Sequence, residues 1–267
     1  MAFLYETHLH TMEGSACGKV SGREYVRFYK DSGYDGIFIT DHFYWGNCRP
    51  DRELKWEDWV NQYCRGYEAA KEEGDKIGFK VFFGLEERFN NHGAGYDDEW
   101  LIYGLNKEFL LAHPEMREWT RADYLKNVHA AGGCCVQAHP FRNRDYMGAI
   151  RVTLGVDAIE GYNANNTEDA NLRAEMYAKK HNKLMIAGGD VHFCGHVPPE
   201  RMAGVIFDTP LESEQDFVRA ILERKPFAMK KPEGYPDMSM ALPPFGKPVY
   251  VYDKQGQMSD MPSEELF

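Results

Sequence analysis

The chain has 267 residues, of which 43% are hydrophobic and 27% charged, a balance typical of a globular protein and unlike a disordered one. Its net charge of −11, without a long basic run, disfavours a nucleic-acid polymer as partner. No apolar run approaches the roughly 20 residues of a membrane span, and the start MAFLYETHLH lacks a secretion-signal pattern, so we expect a cytoplasmic protein without membrane contact.

Short β-favouring segments alternate with helical stretches over the first 230 residues. Two helix starts are marked by the spacing of a capping box, Ser21 with Glu24 and Thr120 with Asp123. The alternation predicts parallel strands with helical crossovers in one α/β domain of residues 1–230. The predicted strands are Phe3–Tyr5, Gly36–Ile39, Lys80–Gly84, Trp100–Tyr103, Cys134–Gln137, Ala158–Glu160, Leu184–Ala187 and Gly204–Phe207.

Polar residues directly follow the first three of these strands. His8 and His10 are two residues apart, so an extended backbone places both imidazoles on one side, as a metal ligand pair or as a polar strand end. After the second strand, His42 is a candidate ligand, and Asp41 either orients an imidazole or caps the next turn. Glu86 ends the third strand and can bridge two cations, whereas we expect Glu87 to be solvated.

Two further strand ends carry candidate residues. His139 precedes a proline, which disfavours helical geometry and keeps the imidazole at the strand end. Arg142 follows, and its guanidinium suits phosphate oxygens, although most surface arginines form salt bridges. The segment Gly188-Gly189-Asp190-Val191-His192 repeats the alternation of ligands seen at the start, after glycines that let the backbone bend.

Other polar residues have two open interpretations. Glu160, Asn163 and Asn165 either face the same pocket or close a turn through their own backbone. His196 is either a phosphate contact or a loop residue. The six cysteines show no CxxC spacing, so we expect buried thiols and no thiolate ligand.

The composition changes near residue 230. The stretch KKPEGYPDMSMALPPFGKP is rich in helix and strand breakers, which predicts an irregular C-terminal arm of residues 231–267. We expect this arm to pack on the same domain, although it could instead reach a neighbouring subunit. The oligomeric state stays open.

The strand ends share one prediction. Because the carboxyl ends of parallel barrel strands meet at one rim, the five histidines and two carboxylates should converge there on divalent ions. Mixed imidazole and carboxylate donors suit Zn, Mn or Fe. These residues are His8, His10, His42, Glu86, His139, Asp190 and His192.

In order, the motifs HxH, TDH, GLE, AHP and GGDVH between about Phe3 and His196 resemble the PHP (polymerase and histidinol phosphatase) superfamily. The resemblance implies a distorted (β/α)7 TIM-like barrel with two or three Zn, Mn or Fe ions. It further implies that His8, His10, Glu86 and Asp190 hold one ion, Glu86 and His139 a second, and His42 and His192 a third.

The chain departs from the family pattern twice. Relatives complete the third site with an Asp shortly after HxH, and here Glu13 is the predicted substitute. On the fourth strand Leu101 stands where relatives place a histidine, so His92, the run Asp97-Asp98-Glu99 or a water would supply the missing ligand.

The resemblance implies a phosphoesterase, and we expect a histidinol-phosphatase-like enzyme that hydrolyses a small phosphomonoester by a metal-activated water. Asp41, Arg142 and His196 are the candidate catalytic residues, and Arg142, Asn163 and His196 the candidate substrate contacts. An amidohydrolase-type enzyme and a non-catalytic metal-binding PHP module are the two competing interpretations.

Overall fold

The computed structural model describes residues 2–89, 98–260 and 263–267. The helices are α1 (Gly22–Asp31), α2 (Trp56–Tyr63), α3 (Arg65–Ile77), α4 (Lys107–Ala112), α5 (Arg121–Ala130), α6 (Glu168–Lys180), α7 (Glu214–Leu222) and α8 (Ser263–Leu266), with 3-10 turns at Pro114–Glu118 and Pro199–Arg201. The strands are β1 (Phe3–Glu6), β2 (Gly36–Ile39), β3 (Lys80–Arg88), β4 (Glu99–Tyr103), β5 (Cys134–Gln137), β6 (Ile150–Thr153), β7 (Ala158–Asn163), β8 (Leu184–Gly188), β9 (Gly204–Phe207), β10 (Ala228–Lys230), β11 (Val249–Tyr252) and β12 (Met258–Asp260).

Nine of these strands form one strongly curved sheet in the order β10-β9-β1-β2-β3-β4-β5-β7-β8. Strands β1, β2 and β3 are parallel to one another, as are β5, β7 and β8. A parallel bridge between Leu9 and Val191 brings the end of β1 beside the end of β8. The sheet is therefore nearly closed, and the predicted TIM-like (β/α) barrel is confirmed.

The expectation that all strands run parallel is wrong for β9, which is antiparallel to β1, and for β4, which is antiparallel to both β3 and β5. Its register pairs Glu86 with Leu101 and Arg88 with Glu99. Residues 89–98 alone separate β3 from β4, fewer than the dozen or more residues that a crossover between parallel strands needs. Consequently the first residue of β4, and not its last, lies at the rim that carries the other strand ends.

Aromatic side chains fill the barrel interior and its helical cover. Inside, Phe38 packs against Phe217 at 4.7 Å and edge-on against Tyr103 at 5.3 Å between ring centroids. Outside, Trp59 of α2 stacks on Tyr63 at 5.0 Å. These rings are buried, and burial of such large apolar surfaces is the main stabilisation that fixes the strand ends in place.

Both predicted capping boxes are confirmed at the start of a helix. Ser21 accepts a hydrogen bond from the Glu24 amide at the start of α1, and Thr120 does the same with Asp123 at the start of α5. In each case the acidic side chain returns a hydrogen bond to the cap, which satisfies two amides that the helix leaves open.

Strands β6, β11 and β12 form a second, three-stranded sheet that the sequence did not predict. Between β10 and β11 the chain has no regular structure, and it lies against α6. The Arg173 guanidinium donates to the Pro243 carbonyl and lies 4.0 Å from the centroid of the Phe245 ring. The C-terminal arm thus packs on the barrel domain. Among the described residues, no helix is long and apolar enough to cross a membrane.

Candidate metal centre

His8 and His10 follow β1 with both imidazoles fully buried. The Nδ1 of His8 lies 2.9 Å from a Glu160 oxygen, and the Nδ1 of His10 lies 3.3 Å from the Ser15 hydroxyl. A proton on each Nδ1 suits these acceptors, which leaves the Nε2 lone pairs for a cation. The two Nε2 atoms are 3.1 Å apart.

Donor atoms of His8, His10 and Asp190 all lie within 4.8 Å of one another, and Glu86 lies beside both imidazoles. The Nε2 of His10 is 3.1 Å from Asp190 Oδ1 and 3.5 Å from Glu86 Oε2. The Nε2 of His8 is 3.6 Å from Asp190 Oδ1 and 3.4 Å from Glu86 Oε1. A tetrahedral ion with bonds of about 2.0–2.1 Å has edges of roughly 3.3 Å, so these spacings fit one cation.

Glu86 also lies beside a second group of donors. Its Oε1 is 3.0 Å from His139 Nε2, and its Oε2 is 2.8 Å from His42 Nδ1. Glu99 adds a carboxylate 3.5 Å from His139 Nε2 and 3.7 Å from His42 Nδ1. The structure therefore places Glu86 between two groups of donors, as a bridging carboxylate would lie.

Two buried atoms without a hydrogen-bond partner in the described part of the chain indicate whether these residues fit a metal ion. His42 Nδ1 and Glu86 Oε2 are buried and lack an aligned hydrogen bond among the described residues, although they lie close together. A buried polar atom without a partner is costly, and closeness without hydrogen-bond alignment is what two ligands of one ion show. The donor set therefore fits divalent cations.

Backbone strain occurs at two of the donors. Asp190 has φ 52° and His139 has φ 29°, values that residues other than glycine seldom adopt. Gly188 permits a close approach here, since a Cβ on it would lie 2.4 Å from a Glu160 oxygen and 2.7 Å from the His8 Cβ. Strain of this kind is found where a functional geometry is imposed by surrounding contacts.

The two carboxylates at the first group are held ionised. Burial alone would raise the pKa of Glu86, but the His42 and His8 imidazoles keep it well below its usual range. Burial likewise opposes ionisation of Asp190, and the Arg142 guanidinium outweighs it, so the Asp190 pKa is also well below its usual range. Both groups are deprotonated near neutral pH, the form that binds cations.

Glu99 stands where the fourth strand was expected to lack a ligand. Because β4 is antiparallel, Glu99 occupies the rim while Leu101 packs in the barrel interior. Asp98 instead pairs with Arg121, and His92 and Asp97 lie outside the described residues. Glu87, expected to be solvated, is buried against the Tyr124 hydroxyl, and burial raises its pKa to about 8.

The structure does not bring Glu13 to the donors. Its carboxylate accepts a hydrogen bond from the Gly22 amide at the start of α1, and it belongs to none of the donor groups found among the described residues. In its place Cys17 extends toward the rim, where its thiol shares a group with His10 and His42, every donor atom within 4.8 Å of the others. The structure therefore places a thiol beside the imidazoles, where the sequence indicated no thiolate ligand.

Asp41 lies behind the donors and not among them. Its carboxylate accepts hydrogen bonds from the Thr11 amide and hydroxyl and from the Ser15 hydroxyl, at 2.6 to 2.7 Å. Burial raises its pKa to about 7, against the effect of these hydrogen bonds. Through Ser15 it orients His10, so of its two interpretations the structure favours the orienting one, and a direct catalytic contact is not what this geometry offers.

Arg142 lies beside the first group of donors. Its guanidinium donates to Asp190, to Asn163 Oδ1 at 3.3 Å and to Asn166 Oδ1 at 2.9 Å. Asn163 is fully buried and also donates to Glu160 at 2.8 Å, so it positions Arg142 instead of facing an open pocket. Arg142 is thus a cationic group beside Asp190, and Arg88 is another, which donates to Glu99 at 2.8 Å.

The last predicted contacts lie at the edge of the centre. His192 Nδ1 is 2.9 Å from the Asp190 carbonyl, which leaves its Nε2 for another partner. His196 is half-buried, and its Nδ1 accepts a hydrogen bond from the His192 amide at 3.3 Å. His196 therefore supports the His192 loop.

Glu6 is a supporting residue that the sequence did not reveal. One of its oxygens accepts from the Thr7 and His8 amides at 2.9 Å and from the Gly189 amide at 2.7 Å. Burial raises its pKa to about 7, and these amides oppose the shift. Glu6 thus joins the end of β1 to the end of β8. Its partner Gly189 is 183 positions away in the sequence, so a local sequence pattern could not predict this contact.

Comparison with known proteins gives one family model, described as PHP-associated, which matches residues 168–226. No curated protein matches the chain. A Bifidobacterium adolescentis structure, described as a candidate metal-dependent phosphoesterase, has TM-score 0.53 and 16% identity over 82% of this chain and 96% of that one. A Bacteroides vulgatus two-domain protein, described as containing a predicted PHP-like metal-dependent phosphoesterase, has TM-score 0.53 and 14% identity. The match covers 88% of this chain and 66% of that one. A Chromobacterium violaceum amidohydrolase with bound sulfate and no metal has TM-score 0.51 and 14% identity. The match covers 85% of this chain and 98% of that one.

Proposed function

The family model and the related folds support a PHP superfamily member, and from that premise we propose that the chain is a metal-dependent hydrolase of small phosphomonoesters. The observation that carries the proposal is the convergence of His8, His10, Glu86 and Asp190 at ligand-edge spacings beside the Arg142 guanidinium. We propose two or three divalent ions, with Zn, Mn and Fe all compatible with the donors.

We assign metal binding and phosphate binding to different residues of the chain. His8, His10, Glu86 and Asp190 would hold one ion, Glu99 and His139 would hold a second, which shares Glu86, and His42 and His192 would contribute to a third. Divalent ions bound there would supply Lewis acidity and lower the pKa of a coordinated water. Arg142 would hold the phosphoryl oxygens, because a guanidinium offers paired donors that match phosphate geometry.

A pocket adjoins the donors and supports a small substrate. Its lining includes Glu99 and His139 on one side and Arg142, Ile150 and Arg151 on the other. Arg142 and Arg151 of this lining suit the phosphate of a phosphomonoester. Histidinol phosphate, nucleoside monophosphates and sugar phosphates are the first substrates to test.

Phosphate release from a panel of these phosphomonoesters, measured with and without a chelator, tests the proposal. We expect release that stops on chelation and returns with added Zn²⁺, Mn²⁺ or Fe²⁺. Glu86→Gln should lower it by on the order of 100-fold or more. Glu72→Gln, an exposed carboxylate on α3, is the matched control and should retain the wild-type rate.

Two different outcomes would each replace the proposal. The amidohydrolase of similar fold makes amide substrates the second panel, and hydrolysis of amides without phosphate release would assign the chain to that class. Bound metal without turnover of either panel would support a non-catalytic metal-binding module.

A further inference from the structure

Cys17 lies in the turn between His10 and α1, and three contacts hold this turn at the rim. The Ser15 amide donates to the Thr11 carbonyl at 3.0 Å, and the Ala16 amide donates to the Asn47 carbonyl at 2.8 Å. The Lys19 amide donates to the His192 carbonyl at 2.8 Å. The thiol is therefore fixed beside the His192 segment and is not carried by a loose loop.

The surroundings of the thiol are imidazoles. The Cys17 sulfur, one nitrogen of His10 and one nitrogen of His42 all lie within 4.8 Å of one another, and the thiol also lies beside His192. The His10 ring stacks on His42 at 4.3 Å and lies 4.7 Å from His192 between centroids. One sulfur thus lies among three imidazoles.

The imidazoles next to the thiol are prepared as ligands. His192 Nδ1 faces the Asp190 carbonyl at 2.9 Å, so its Nε2 keeps a lone pair for another partner. His42 is over nine-tenths buried, and its Nδ1 lacks an aligned hydrogen bond among the described residues. This buried ring nitrogen, which lies 2.8 Å from Glu86 Oε2 without an aligned hydrogen bond between the two, is a second feature, independent of the cysteine, that indicates a cation bound at His42.

We propose that Cys17, together with His42 and His192, binds one cation of the centre through its thiolate, and that this position selects zinc over manganese. Thiolate donors favour Zn²⁺, whereas the carboxylates around Glu86 also accept harder cations such as Mn²⁺. Binding releases the thiol proton to solvent. The inference rests on the proposed metal-dependent function and adds a metal preference that imidazole and carboxylate ligands alone would not give.

Cobalt substitution tests the sulfur ligand without relying on turnover. The protein is stripped of metal, loaded with Co²⁺ and examined by absorption spectroscopy. We expect a near-ultraviolet sulfur-to-cobalt charge-transfer band in addition to the visible d–d bands. The band should vanish in Cys17→Ser and persist in Cys48→Ser, whose half-buried thiol faces the Tyr44 and Pro50 carbonyls.

A competition experiment tests the preference itself. Wild-type protein and Cys17→Ser are loaded with equal concentrations of Zn²⁺ and Mn²⁺, and the bound metals are measured by elemental analysis. We expect the bound zinc-to-manganese ratio of Cys17→Ser to be ~10–100-fold lower than that of the wild type, the loss of metal affinity that removal of even a supporting contact causes. Cys48→Ser should match the wild type.

The outcomes separate this inference from the proposed function. Visible d–d bands without a charge-transfer band in the wild-type protein would overturn the thiolate ligand while leaving the metal centre intact. Failure to bind cobalt at all would overturn both. The presence or absence of the charge-transfer band in the wild-type protein tests the thiolate ligand even if Cys17→Ser does not fold.

Discussion

Each imidazole at the first donor group is oriented through the nitrogen that faces away from it. Glu160 holds His8, and Ser15 holds His10 while its own hydroxyl donates to Asp41. Such outer contacts fix the tautomer and the ring plane before a cation arrives. The affinity of the centre therefore depends on residues that touch no ion.

Glu160→Gln tests this dependence. The one oxygen of the glutamine amide can accept either from His8 or from the His139 amide and Asn163, which donate to the same Glu160 oxygen, so one side loses its acceptor. We expect metal affinity to fall ~10–100-fold in a chelator competition, with the circular dichroism spectrum retained. Glu72→Gln serves as control, and unchanged affinity in Glu160→Gln would show that His8 needs no such support.

Arg142→Lys tests the role of the guanidinium. Lysine keeps the charge but loses the fork that contacts Asn163, Asn166 and Asp190 together. Loss of a charge-assisted contact of about 1.5–3 kcal/mol predicts a decrease of roughly tenfold or more in kcat/KM for phosphomonoesters, mainly through KM. Arg219→Lys on the exposed face of α7 is the control. A normal KM would remove Arg142 from substrate binding.

The sequence predicted most of these residues because each lies just beyond the end of a predicted strand. His8, His42, Glu86, His139 and Asp190 needed only the rule that parallel strand ends share a rim. Cys17 could not be found in this way, since the path of its turn is set by contacts with Asn47 and His192 that are distant in sequence. Asp41 and Glu13 have plausible residue types, but hydrogen bonds hold both away from the donors.

Strand direction explains the remaining difference at the centre. A pattern of apolar residues marks β4 but carries no direction, because the side-chain alternation of a strand reads alike from both ends. The parallel expectation assigned the rim to the wrong end of β4, whereas the antiparallel pairing with β3 brings Glu99 there. Strands β6, β11 and β12 are short, and β11 pairs with β6 from a distant part of the chain, Val249 with Ile150.

Helix α5 is tied to the loop before β7 by an ion pair that titrates. His129 Nε2 lies 2.8 Å from Asp157, and this hydrogen bond raises the His129 pKa above its ordinary value. A raised folded-state pKa means that the pair stabilises the fold fully below about pH 6.5 and that the stabilisation is lost as pH rises through the folded-state value.

His129→Gln should therefore lower the melting temperature more at about pH 5.5 than at about pH 9, by a small margin because His129 is partly exposed. Thermal unfolding at the two pH values measures the difference, with Lys126→Gln on the same helix as control. Equal losses at both values would show that the pair does not contribute through its charge.

The C-terminal arm connects the outer sheet to the centre. Phe141, one residue before Arg142, packs near Phe245 with centroids 6.1 Å apart, and the Asn143 amide group donates to the Phe245 carbonyl at 2.9 Å. The arm therefore lies against the loop that carries His139 and Arg142. Its packing supports the geometry of the centre from outside the barrel.

Phe245→Ala should cost about 1–3 kcal/mol of unfolding free energy and also raise KM for phosphomonoesters, because the Arg142 loop loses its outer support. Urea unfolding and steady-state kinetics measure the two effects, with exposed Met238→Ala as control. A loss of stability without any change in KM would confine the arm to a structural role.

Anomalous diffraction from crystals of the metal-loaded protein locates the cations themselves. We predict one peak about 2.0–2.2 Å from the Nε2 atoms of His8 and His10, with Glu86 and Asp190 completing its surroundings, and a second peak on the far side of Glu86 near His139. Peaks only elsewhere, or none between these residues in metal-loaded crystals, would contradict the account.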